Sequence, residues 1–107
     1  MSRKPVVPRS VARRDMREAT IHYSRTAGET VAAGFVAALQ STLIALADQP
    51  GAGSPRFGLM LNRPGVRSWP LARYPYLVFY REFEDRIEVL RALHGRRDIA
   101  SLLARAQ

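Results

Sequence analysis

The chain contains no cysteine, only two histidines, and one lysine among its seventeen cationic side chains. Without thiols there is no disulfide framework and no thiolate metal site. His22 and His94 lie far apart with no ligand spacing around either, so neither a metal nor a cofactor is expected. No stretch reads as the roughly 20 apolar residues of a membrane span. The basic start, MSRKPVVPRSVARRDM, lacks the apolar segment of a secretory signal. Together these absences predict a metal-free protein of the cytoplasm.

Acidic residues are also scarce. Nine Asp and Glu face seventeen Lys and Arg, leaving a formal charge of +8, and every cation except Lys4 is arginine. Guanidinium groups suit flat, bidentate contacts to phosphates and carboxylates. The charge therefore predicts an acidic partner, either nucleic acid or polypeptide. A chain of 107 residues, 47% apolar, holds one core, so residues 1–107 are read as a single domain.

Hydrophobic period divides the domain into a helical and a strand half. Val6 and Val7 between Pro5 and Pro8 predict an edge strand, since proline cannot donate to a ladder. Ser10 offers a helix N-cap, and Ala12, Met16, Ala19 and Tyr23 recur at helical steps. Gly28 closes that helix. A second helix is predicted over 29–48, with Ala32, Phe35, Leu39, Leu43 and Leu46 as its apolar stripe and small residues elsewhere, giving an antiparallel helical hairpin. Pro50 to Pro55 breaks the helix, with Gly51 to Gly53 read as a hinge between the halves. Strands are predicted over 66–71, 76–82 and 87–94. On the first, Arg67, Trp69 and Leu71 share a face. On the last, Ile87, Val89, Arg91 and Leu93 face one way, and Leu90, Ala92 and His94 the other. Asp98 is expected to cap a short final helix that Leu102 and Leu103 pin to the core. The predicted class is α+β: an N-terminal edge strand, a helical hairpin on an antiparallel sheet with a three-stranded meander, and a short C-terminal helix.

Six segments in this order carry a family resemblance. They are Ala12, Asp15, Met16, Ala19 and Tyr23; Phe35 and Leu39; DQPGAGS at 48–54; VRSWPL at 66–71; RYPYLVFY at 73–80; and VLRALHGRRD at 89–98. The chain resembles the RelE/ParE superfamily of type II toxin-antitoxin modules, and more closely its ParE branch. The resemblance implies a bacterial growth inhibitor neutralised by a ParD-like antitoxin, an acidic ribbon-helix-helix protein that wraps the toxin in a hetero-oligomeric complex. The ParE branch implies DNA gyrase as target, whereas the RelE branch implies ribosome-dependent cleavage of mRNA. Fold alone does not separate the two.

The residues bear on that choice. A metal-free ribonuclease needs a proton-transfer group and cations converging on one phosphate. The candidates are Arg67, Arg91, His94 and Arg97, with Arg96 beside them. The family's ribonuclease pattern uses a basic cluster near the first meander strands and often a C-terminal tyrosine. Here WPL replaces much of that cluster and the chain ends LLARAQ. His94 is expected to cap the strand end, and Arg97 and Asp98 to pair locally or to meet a partner. Arg67, Trp69, Arg91, Arg96, Arg97 and Asp98 are thus the candidates for binding a target or partner. Tyr74, Tyr76, Phe79 and Tyr80 are read as packing groups rather than a base-stacking platform. Gyrase inhibition without catalysis is the favoured reading; mRNA cleavage, or antitoxin binding without toxicity, are the alternatives.

Overall fold

A computed structural model describes residues 3–105, excepting the side chains of residues 100 and 103–105. The elements run β1 (Val6–Pro8), α1 (Ser10–Ala27), α2 (Glu29–Asp48), a 3-10 turn (Pro50–Ala52), α3 (Arg56–Met60), β2 (Val66–Pro70), β3 (Tyr76–Glu82), β4 (Ile87–His94) and α4 (Arg97–Arg105). The strands form one mixed sheet in the order β1-β4-β3-β2. β1 runs parallel to β4, and the other pairs are antiparallel. The α+β class and the order of the predicted elements agree with the sequence; the sheet, expected to be antiparallel, is mixed because β1 joins β4 in parallel, and α3 was not foreseen.

α1 and α2 form the hairpin. Gly28, at φ 95°, reverses the chain between them, a conformation that glycine adopts without penalty. Ala12 and Ala19 of α1, with Phe35, Leu39 and Leu46 of α2, close onto Leu71, Tyr76, Val78, Tyr80, Ile87 and Val89. Tyr23, Phe35, Tyr74 and Tyr76 meet edge-on or tilted, and Tyr23 and Phe35 lie 5.1 Å apart between ring centroids. Aromatic pairs in such geometry add about 0.5–1.5 kcal/mol each beyond their burial. The second face of the sheet carries a smaller cluster of Val66, Phe79, Leu93 and Ile99. Phe57 and Leu102 lie against it, so α3 and α4 cover that face.

Several local expectations are corrected. Ser10 lies inside α1, and the N-cap is Arg9, without a side-chain cap hydrogen bond. Gly51 to Gly53 is no hinge: the Gly53 N–H donates to the Tyr80 hydroxyl (3.0 Å), which itself donates to the Pro50 carbonyl (2.7 Å). A Cβ on Gly53 would collide with the Tyr80 ring, so the segment is packed onto the sheet. Strict alternation also fails in β4. Phe79 pairs with Arg91 but Tyr80 with Val89, leaving Leu90 as the bulged residue. The bulge brings Ile87, Val89, Ala92 and His94 to the hairpin side, while Leu90 and Leu93 join the second cluster. Asp98 stands in the first turn of α4. Leu102 packs as expected, and the side chain of Leu103 lies outside the described residues. Finally, α2 is by length and composition apolar enough to cross a membrane, contrary to the first reading of the sequence. In the fold, its Phe35, Leu39 and Leu46 are core residues.

Candidate functional site

β1 ends at Pro8, so beyond Val89 β4 is paired only with β3 and its other edge has no strand partner. α1 crosses this gap, and Asp15 fills it. Its carboxylate accepts the Ala92 N–H (3.1 Å) and two bonds from Arg91, at 2.7 and 3.1 Å. A side-chain acceptor thereby replaces a ladder bond, satisfying a backbone donor that a missing strand would leave unpaired. The Asp15 side chain is only 9% exposed, against 39% for Arg91. Hydrogen bonding to Asp15 raises the Arg91 pKa above its ordinary value. The pair fastens α1 to the sheet.

At the end of β4 the chain closes a reciprocal cap. The His94 N–H donates to the Asp98 carboxylate (2.8 Å), and His94 Nδ1 accepts the N–H groups of Arg96 and Arg97, each at 3.2 Å. The arrangement does for α4 what a capping box does with Ser and Glu. The His94 ring also stands edge-on to Tyr76, with centroids 5.4 Å apart. Burial raises the Tyr76 phenol pKa above its ordinary range, with nearby Arg97 pulling the other way. Arg97 lies 3.6 Å from Asp98, and Arg96 is exposed. His94, Arg96, Arg97 and Asp98 are therefore brought together, as the sequence suggested, in a structural role.

Arg67 and Trp69 stand elsewhere. β2 is two strands away from β4 across β3, about 10 Å at ordinary strand spacing. Arg67 reaches over Tyr80 to the Gly53 carbonyl (2.7 Å). Trp69 forms one wall of an open groove of about 560 Å³ between α2 and the β2–β3 connection. Gly34, Ala38 and Ala45 form its floor, with Tyr74 at one end. Small side chains on α2 create the space; Tyr74 enters it far enough to donate to the Val31 carbonyl (2.9 Å). A Cβ on Gly34 would meet the Tyr74 hydroxyl, so a larger residue there has to displace the end of that side chain.

The candidates thus divide into two groups, one at the α4 end of β4 and one along the α2 groove. Each of Arg67, Arg91 and His94 spends polar atoms on holding the fold. The sequence reading missed Asp15 as the partner of Arg91, although it stands in the first of the six family segments. It also missed the exposed Leu59 and Met60 of α3. Among the described residues no group of three or more His, Cys, Asp or Glu side chains is placed to hold a metal ion.

Residues 6–99 match a family model described as ParE toxin of type II toxin-antitoxin system, parDE. A solved structure described as the chromosomal ParDE TA system from P. aeruginosa is similar over 85% of this chain and 95% of that one. The TM-score is 0.72 and the identity 25%. No curated protein matches.

Proposed function

Because the chain belongs to the ParE toxin family of type II toxin-antitoxin systems, we propose that it arrests bacterial growth by binding DNA gyrase, without catalysis of its own, and that a ParD-like antitoxin neutralises it. One observation carries the non-catalytic reading: three of the four basic groups a ribonuclease could use here are bound to the protein itself, and the fourth, Arg97, lies beside Asp98. Arg91 is held bidentately by Asp15, His94 Nδ1 by two backbone N–H groups, and Arg67 by the Gly53 carbonyl. Freeing His94 as a proton carrier would undo the cap of α4. A binding protein has no such conflict, since its contacts are made by whatever surface the fold leaves open.

Support for the antitoxin comes from the solved ParDE system and from the charge of +8, which favours an acidic partner. The α2 groove has the form that accepts an apolar helix or extended segment, with Trp69 and Tyr74 as aromatic walls. In this reading Arg96, exposed just before α4, meets a partner, Arg97 does so from its place beside Asp98, and the complex works in the cytoplasm. Cleavage of mRNA on the ribosome is the competing mechanism for the same superfamily.

Purified protein incubated with gyrase and supercoiled plasmid separates the two. We expect accumulation of cleaved plasmid held on gyrase, abolished by an excess of the antitoxin. Unchanged gyrase activity together with cleavage of mRNA on purified ribosomes would overturn the proposal.

A further inference from the structure

The corner between α3 and β2 is a built surface that neither the core nor the candidate site uses. Leu59 is 67% exposed and Met60 53%, side by side on α3. Arg56 and Arg63 flank them in sequence. Arg81 arrives from β3, opposite Val66, and its guanidinium lies beside Gly65. All three arginines are exposed, and none makes an ion pair among the described residues, although eight such pairs occur elsewhere in the structure.

The corner is also held firmly. The Arg63 N–H donates to the Gly58 carbonyl (2.7 Å), Leu61 to Phe57 (2.9 Å) and Val66 to Arg63 (3.2 Å). Asn62 and Gly65 take positive φ values of 55° and 95° to make the turn. Gly58 is pressed against the Val66 and Arg63 carbonyls so closely that a Cβ would not fit. Phe57 anchors α3 from below, 5.8 Å from Phe79. Leu59 and Met60 are therefore presented outward by a backbone that cannot easily turn them in. Adjacent exposed apolar side chains on a rigid support are a mark of an interaction surface.

We propose that this corner is the surface with which the protein grips its target, and that it takes an acidic segment of a partner protein carrying aliphatic side chains among its carboxylates. Leu59 and Met60 supply a small apolar centre and the arginines a cationic rim, the division found in protein interfaces, where Met and Arg are enriched. Nucleic acid is the poorer match, because the middle of the patch offers only aliphatic surface and no exposed aromatic ring for a base. The target rather than the antitoxin is assigned here because α3 covers the sheet face opposite the hairpin and its α2 groove. That assignment rests on the toxin reading above; the chemistry of the patch does not.

Two measurements test it. In the first, a short synthetic peptide of Glu and Leu is titrated into the full-length protein, with methyl resonances of Leu59 and Met60 observed. We expect shifts centred on these methyls, and binding weakened about tenfold or more both by Leu59→Ser with Met60→Ser and by Arg63→Glu with Arg81→Glu. Binding elsewhere, unchanged binding by the variants, or displacement by single-stranded oligonucleotide would each overturn the proposal. In the second, the same variants are expressed in bacterial cells. We expect loss of growth arrest with antitoxin affinity kept within about threefold, which also shows that they fold. Full toxicity of the variants, or loss of antitoxin binding in its place, would refute the assignment to the target. Should the unaltered chain fail to arrest growth, the toxin reading and the assignment to a target fail with it, and the peptide titration alone decides whether the patch binds acidic segments.

Discussion

Single side chains hold the parts of this protein together at positions where backbone pairing stops. Asp15 is the clearest case, since it stands in for a strand that ends at Pro8. Replacing it with alanine leaves both the Arg91 guanidinium and the Ala92 N–H without their acceptor. The cost is expected to be about 1–3 kcal/mol, tempered by the partial exposure of Arg91. Arg91→Ala should cost less, because the Asp15 carboxylate would keep the Ala92 N–H. Denaturant titration of both variants checks the order; an equal or greater loss from Arg91→Ala would contradict it. Tyr80 offers a second test. Its buried hydroxyl accepts from Gly53 and donates to Pro50, so Tyr80→Phe leaves two backbone groups unsatisfied. A loss of about 1–3 kcal/mol is expected, read as a lowered melting temperature; an unchanged one would contradict the packed role given to the 50–53 segment.

At the scale of elements, the long periodic segments were legible and the short irregular ones were not. α2, β3 and β4 fall where hydrophobic period placed them, because each buries enough apolar surface to leave a clear pattern. α3 was invisible: its five residues give barely more than one turn, and its anchors, Phe57 against Phe79 and Gly58 against the Val66 carbonyl, are contacts of the tertiary fold. The β4 bulge was equally hidden, since it depends on register against β3. The site followed the same division. The closeness of His94, Arg96, Arg97 and Asp98 could be read from their spacing, whereas the Asp15–Arg91 contact joins residues far apart in sequence.

Two elements invite direct tests. α4 is bound to the sheet through Ile99 and Leu102 and through the His94 cap. Ile99→Ala should therefore cost about 2–4 kcal/mol and speed amide exchange in α4 before the rest of the fold. Uniform exchange across the protein would contradict that. β1 is joined to β4 partly through Glu88, which accepts from Arg9 (2.8 Å) and from Arg86 (2.8 Å). Hydrogen bonds from Arg9, then from Arg86, lower its pKa below the ordinary value of 4.5. Its contribution to stability is therefore complete above that value and lost as pH falls below it, through the depressed folded value. Stability measured against pH should decline less steeply in this acid range for Glu88→Gln than for the unaltered protein; identical slopes would contradict the link.

For the whole molecule, the fold leaves two separate surfaces open on a strongly basic chain. Six of the nine carboxylates pair with arginine, and the exposed arginines without an ion pair among the described residues stand along α1 (Arg13, Arg17, Arg25), around α3 (Arg56, Arg63, Arg81), in the β2–β3 turn (Arg73) and just before α4 (Arg96). The helical hairpin covers one face of the sheet and leaves the α2 groove open, while the other face carries α3 with its exposed apolar pair. A toxin needs both a surface for its target and one for the partner that restrains it. Such a protein should harm the cell only when the partner is absent. The direct measurement is the number of surviving colonies after the chain is induced in bacteria, alone and together with a ParD-like antitoxin. Survival falling about a hundredfold or more with the chain alone, and restored by co-expression, is the expected result; undiminished survival of cells making the stably folded chain alone would contradict its function as a toxin.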